Sequence, residues 1–145
     1  MANELEYLLA NDKQLLSSKA TKVVFAKDDR IIKEGSFSKA VFFLREGTAR
    51  VHRSGMSPDA RLATLGAGDI CGEMAFIEGV TASASVIADG PVMAEAIETP
   101  VLHSIFETFP HLGARFYRSV ALMLSRRLRE TTRQLSATRA GNTPS

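Results

Sequence analysis

The chain has 145 residues, with 18 Lys and Arg against 16 Asp and Glu, 45% hydrophobic and 23% charged residues. That length suits one domain burying roughly 68–70% of its unfolded surface, and the composition speaks against a disordered chain or a membrane protein. Residues 1–61 carry a net +3, residues 62–114 hold seven acids and no Lys or Arg, and residues 115–145 hold seven Arg against Glu130 alone. An acidic middle and a basic end argue against a nucleic-acid binder spread over the whole surface. The single Cys71 excludes an internal disulfide and fits a reducing compartment. The first residues, Met1 to Glu6, lack the basic and apolar regions of a secretory signal. No strictly apolar run exceeds the five residues of Val120–Leu124, against the ~20 of a spanning helix. A soluble cytoplasmic protein is the expectation.

Residues 1–20 read as a helical segment. Asn3 is positioned to cap, Glu6 completes a capping-box spacing, and Leu5, Leu8 and Leu9 share a face. Asp12 opens a second turn carrying Leu15 and Leu16. Residues 21–98 change texture: β-rich pieces at 22–25, 41–44, 49–52, 62–65, 83–87 and 92–97 alternate with glycines. Turn signals at this spacing predict an all-β sandwich or barrel, since βαβ units require helices between strands.

Residues 99–109 predict a short helix, with Thr99 as N-cap, Pro100 at the first helical position, and Leu102, Ile105, Phe106 and Phe109 on one stripe. Residues 110–139 predict a long helix reaching ~43 Å, and residues 140–145 a tail. Turning 100° per residue divides the long helix into three faces. Leu112, Phe116, Val120, Met123 and Arg127 face the β-body. Tyr117, Ala121, Leu124, Leu128, Thr131, Leu135 and Thr138 alternate by four and three, a heptad seam suited to a parallel partner helix. Arg115, Arg118, Arg126, Arg129 and Arg133 form a third stripe, expected to face water. The seam predicts a homodimer.

Catalysis is hard to build from these residues. His52, His103 and His111 have no metal-ligand spacing among themselves or with Cys71. Neither a nucleophile elbow nor a phosphate-binding P-loop pattern is present. The distinctive stretch runs from Gly68 to Val86. Gly72 lets a phosphate approach the backbone, Glu73 to Phe76 make one helical turn with free N–H groups, and Ser83 begins another strand.

Residues Phe25 to Asp89 resemble the cyclic nucleotide-binding domain of the catabolite-activator (cAMP receptor) family. The resemblance rests on Ile31-Ile32-Lys-Glu34-Gly35, Phe42-Phe43-Leu44-Arg-Glu-Gly47, Gly68-Asp69 and Gly72-Glu73-Met74-Ala75. The segment Arg126-Arg127-Leu128-Arg-Glu-Thr131-Thr132 looks like that family's dimerising helix. The resemblance implies a mainly β fold, a double-stranded β-helix or jelly-roll flanked by helices. It implies a regulatory, non-enzymatic sensor that requires no cofactor, takes cAMP, cGMP or another cyclic nucleotide as ligand, and signals to a downstream protein. By the same resemblance, Gly72 donates to the cyclic phosphate, Glu73 holds the ribose hydroxyl, and Ser83 donates to a phosphate oxygen. Thr131 and Thr132 meet the base. Met74 and Ala75 complete the cassette, Leu62 and Cys71 line the pocket, and Arg127 reaches it and pairs with Glu73.

Two departures accompany the resemblance. Ala82 stands where the family pattern has a phosphate-binding Arg. A charge-assisted hydrogen bond to phosphate contributes roughly 1.5–3 kcal/mol, so its loss weakens binding by about ten- to a hundredfold. Either Arg127 or Arg50 replaces it, or the ligand differs, or the pocket is degenerate and the protein is a dimeric scaffold. The second departure is that no helix-turn-helix follows the long helix in this sequence, so a stand-alone module without a reader helix for base edges is the expectation. A DNA-associated role through the Arg stripe is the weakest reading.

Overall fold

A computed structural model describes residues 5–142, with side chains through residue 137. In chain order the elements are α1 (Ala10–Lys19), β1 (Thr21–Phe25), β2 (Arg30–Ile32), β3 (Ala40–Glu46), β4 (Ala49–His52), β5 (Ala63–Leu65) and β6 (Ile70–Cys71). They are followed by α2 (Glu73–Glu78), β7 (Ser85–Ala88), β8 (Val92–Glu98), α3 (Thr99–Thr108) and α4 (Pro110–Asn142). The strands pair antiparallel in two four-stranded sheets, ordered β1-β8-β3-β6 and β2-β7-β4-β5. This is the flanked jelly-roll expected from the sequence.

The first sheet is covered on both faces, which explains the uninterrupted apolar run of β3. Side chains alternate across a strand. Val41 and Phe43 join the helical core with Ile70, Ile97, Leu102, Leu112, Phe116, Val120 and Met123. Phe42 and Leu44 point into the barrel, with Ile32, Leu65, Val86 and Val92. The body-facing stripe of α4 is buried as its periodicity predicts, with Phe116 fully inaccessible.

Several expectations require correction. Asn3 lies outside the described residues. Glu6 belongs to a turn closed by Leu8 N–H donating to Leu5 O, and helix begins only at Ala10. Asp12 sits three residues beyond the N-cap Leu9 and accepts its N–H at 2.9 Å, a local capping bond that starts α1. Glu98, not Thr99, is the N-cap of α3. Strands β2 and β6 were not foreseen, β7 begins at Ser85 rather than Ser83, and α4 extends to Asn142.

The third stripe of α4 is not simply solvated. The N-terminal segment crosses it as a strap. Arg115 holds buried Asp12 through Nε–Oδ2 at 2.6 Å and Nη2–Oδ1 at 2.8 Å. Arg118 lies 4.0 Å from the ring centre of Tyr7, a cation–π contact. Tyr7 N–H donates to Ser119 Oγ at 2.9 Å, and Arg126 pairs with Glu6. Only Arg129 and Arg133 lie beyond the strap's reach, with Arg133 paired to Glu130.

The hydrogen bonds from Arg115, foremost, hold the Asp12 carboxyl below the ordinary carboxylate range, against the opposing effect of burial. A lowered folded value adds stability that is complete above the unfolded value of about 3.9 and lost as pH falls through the folded one. Wild type is therefore expected to exceed Asp12→Asn in urea midpoint at pH 7. The gap should close as the pH is lowered from about 5 towards 2, and a pH-independent gap would contradict the assignment.

Candidate functional site

A cavity of about 500 Å³ opens between the barrel, α2 and α4, within the size range of small-ligand sites. Its barrel wall is apolar, from Ile32, Val51, Ala63, Leu65 and Val86. Cys71 to Ala75 form one rim, Ala82 to Ala84 another, and Leu124 and Arg127 descend from α4.

Gly72 connects β6 to α2 in a left-handed conformation, φ +84°. An added Cβ would lie 2.5 Å from Ala40 O and 2.9 Å from Ser38 Oγ, so this backbone approach requires glycine. Behind the site, Phe76 anchors α2 in an aromatic cluster. Its ring lies 4.4 Å from His103, 5.8 Å from Phe106 and 6.1 Å from both Phe116 and Tyr117, centroid to centroid. The short helix is thereby tied to both α3 and α4.

Glu73 is 8% exposed and lines the cavity. Burial raises its carboxyl above the ordinary range, opposed by its own backbone N–H and by the charge of Arg127. Arg127 is the cavity's single cationic side chain among the described residues. It does not contact Glu73 as expected; its Nη2 lies 3.5 Å from Asp69 Oδ1 and 3.7 Å from Met123 Sδ. Burial also raises the Cys71 thiol far above its usual range, so this cysteine is an apolar wall element.

Of the residues singled out from sequence, Cys71, Gly72, Glu73, Met74, Ala75, Ala82, Ser83 and Arg127 line this one cavity. Ala82 is held by two backbone bonds, Ala82 N–H to Ser36 O and Gly35 N–H to Ala82 O. The Ser83 hydroxyl lies 3.8 Å from Met74 Sδ. Leu62 stands outside the lining and is exposed, because β5 turns Ala63 and Leu65 inward and leaves residue 62 facing away. Arg50 also points away from the barrel interior, between inward Ala49 and Val51. It is paired with Asp89 at 3.1 Å and Asp28 at 3.2 Å, so it is not a replacement phosphate ligand. Thr131 and Thr132 are exposed and outside the lining, and Thr132 Oγ1 donates to Leu128 O. Sequence reasoning missed Asp69 as the partner of Arg127, and it assigned Leu124 to the seam without its second place in the cavity wall.

Residues 22–109 match the family described as "Cyclic nucleotide-binding domain". The chain belongs to that family. A solved cyclic nucleotide-binding domain from Methylobacillus flagellatus superposes with a TM-score of 0.81 at 22% identity, covering 94% of this chain and 82% of that one. Glutaminase 1 of Bradyrhizobium diazoefficiens is 37% identical over 127 residues, 86% of this chain and 20% of that protein. Cyclic GMP-binding protein C of Dictyostelium discoideum is 25% identical over 128 residues, 88% of this chain and 5% of that protein. This cyclic nucleotide-binding domain thus spans a fifth or less of the length of these two relatives.

Among the described residues, no group of three or more His, Cys, Asp or Glu is arranged to hold a metal. No helix among them is long and apolar enough to cross a membrane.

The approach of Gly72 to Ala40 O yields a direct test. Gly72→Ala is expected to lower stability by about 1–3 kcal/mol from the left-handed backbone alone, with a further loss from the 2.5 Å contact. Gly66→Ala, where an added Cβ meets nothing within 4 Å, serves as the control with little change. Urea denaturation of both variants measures the difference.

Proposed function

We propose that this chain is a regulatory sensor module, not a catalyst, whose cavity binds a cyclic nucleotide such as cAMP or cGMP. The observation that carries this reading is the convergence of Gly72, Glu73, Ser83 and Arg127 on one cavity of about 500 Å³. The backbone at Gly72, the Ser83 hydroxyl and the Arg127 guanidinium supply donors for a phosphate. Glu73 supplies a buried acceptor for a sugar hydroxyl. The apolar wall receives the base. Signalling follows from geometry: a ligand that engages both α2 and Arg127 favours one placement of α4 over another, and only that differential affinity transmits anything.

Ala82 and the single cationic side chain favour a second reading, in which the same cavity takes a different ligand or none and the protein is a dimeric scaffold. Dimerisation belongs to both readings. Tyr117, Ala121, Leu124, Leu128 and Leu135 are all exposed in the single chain, and Leu128 reaches 68%. A second copy of α4 would cover that seam and bring Thr131 and Thr132 towards a ligand. A downstream protein would then read the altered helix pair. A single buried cysteine fits a cytoplasmic setting. A DNA-associated role is the weakest, since Arg115, Arg118 and Arg126 are already engaged by the strap.

Calorimetric titration with cAMP, cGMP and cyclic dinucleotides is expected to show submillimolar binding of a cyclic mononucleotide. Arg127→Ala should weaken it at least tenfold, and Ala82→Arg should tighten it about ten- to a hundredfold. Absence of heat and of any melting shift at millimolar ligand would establish the scaffold reading instead. Light scattering should give twice the 15.7 kDa chain mass, reverting to the monomer in Leu128→Glu. A wild-type monomer at micromolar concentration would refute the seam.

A further inference from the structure

Arg127 is the only cationic side chain among the described residues lining the cavity, yet a carboxylate already occupies it. That carboxylate, Asp69, is outside the cavity lining and has 7% of its side-chain surface exposed. Three hydrogen bonds of its own and one of the neighbouring Gly68 fix its position. Oδ2 accepts Gly66 N–H at 2.8 Å, its N–H donates to Gly66 O at 3.0 Å, its carbonyl accepts Leu44 N–H at 2.9 Å, and Gly68 N–H closes the same turn on Leu44 O. Asp69 is therefore the fixed member of the pair. Arg127 sits on a flexible stem and is the member able to move. The contact is long, 3.5 Å, and both of the guanidinium's contacts among the described residues run through Nη2. A single contact of that length is one a phosphate displaces when it takes the planar five-donor fork for itself.

We propose that Asp69 is a built-in competitor for Arg127: it holds the guanidinium in the empty protein and must yield it to an anionic ligand. Asp69 then sets both the affinity for a phosphate-bearing ligand and the movement of α4 that accompanies binding. It acts through Arg127 and is a positioning residue, not a ligand contact. This inference rests on the cyclic nucleotide reading of the cavity. Its physical basis is that a ligand phosphate and a fixed carboxylate cannot both take the same fork of a single arginine, so the attraction of one subtracts from the other. With no arginine at position 82 to share the load, the competition falls wholly on Arg127.

The test is a double-mutant cycle read by calorimetric titration with cAMP. Asp69→Asn keeps an oxygen for Gly66 N–H and removes only the charge. It should tighten cAMP about tenfold in the otherwise unaltered protein and give no gain when combined with Arg127→Ala. Equal binding by wild type and Asp69→Asn would overturn the competitor role while leaving the ligand reading intact. A gain that persists without Arg127 would overturn it too, because the effect would then be structural. If neither wild type nor Asp69→Asn binds any cyclic nucleotide at millimolar concentration, the ligand reading falls and the competitor role falls with it. Melting curves of all four proteins exclude misfolding as the cause.

Discussion

The packing of Leu112, Phe116, Val120 and Met123 against the helix-facing side of the β1-β8-β3-β6 sheet fixes where every other side chain of α4 lies. Each helical residue turns by 100°, so seating one stripe dictates the rest. Continuing that stripe one turn past Met123 places Arg127 at the cavity. The adjacent stripe carries Tyr117, Leu124 and Leu128 outward, and the third presents Arg115, Arg118 and Arg126 to the N-terminal strap. A helix so constrained cannot move on one side without disturbing the others.

The same economy shapes the barrel. The first sheet separates two apolar clusters, and alternate residues of β3 serve them in turn. Phe76 extends this arrangement to the site, because the helix that borders the cavity also inserts a ring into the helical cluster. The cavity is thus joined to α4 from two sides, through Leu124 and Arg127 from above and through the aromatic cluster from behind.

Much of this was legible in the sequence, for reasons that differ by element. Alternation and glycine spacing marked β1, β3, β4, β5, β7 and β8, although the boundaries of all but β4 moved. The three-residue β2 and two-residue β6 are too short to carry a period. The 3.6-residue repeat of α4 located its body-facing stripe correctly, because burial is written directly into that pattern. The strap was illegible: Glu6 and Asp12 look like ordinary helix-start acids, and Asp12 does cap α1 while also holding Arg115. Asp69 hid in the same way. Gly68-Asp69 reads as a turn, which it is, and its second contact depends on a residue 58 positions away. Leu62 failed through alternation: with Ala63 and Leu65 at the cavity wall, residue 62 falls on the outward face.

The strap has a consequence for how the chain reaches this state. Tyr7 meets Ser119, Asp12 meets Arg115 and Glu6 meets Arg126, across 112, 103 and 120 positions. Closing loops of that length costs entropy that only late, long-range contacts repay. The strap residues precede α4 along the chain, so during synthesis they have no partner until α4 follows them. The barrel strands pair within residues 21–98 and need not wait. Folding order is therefore outward from the sheets, with the strap among the last parts to find its place.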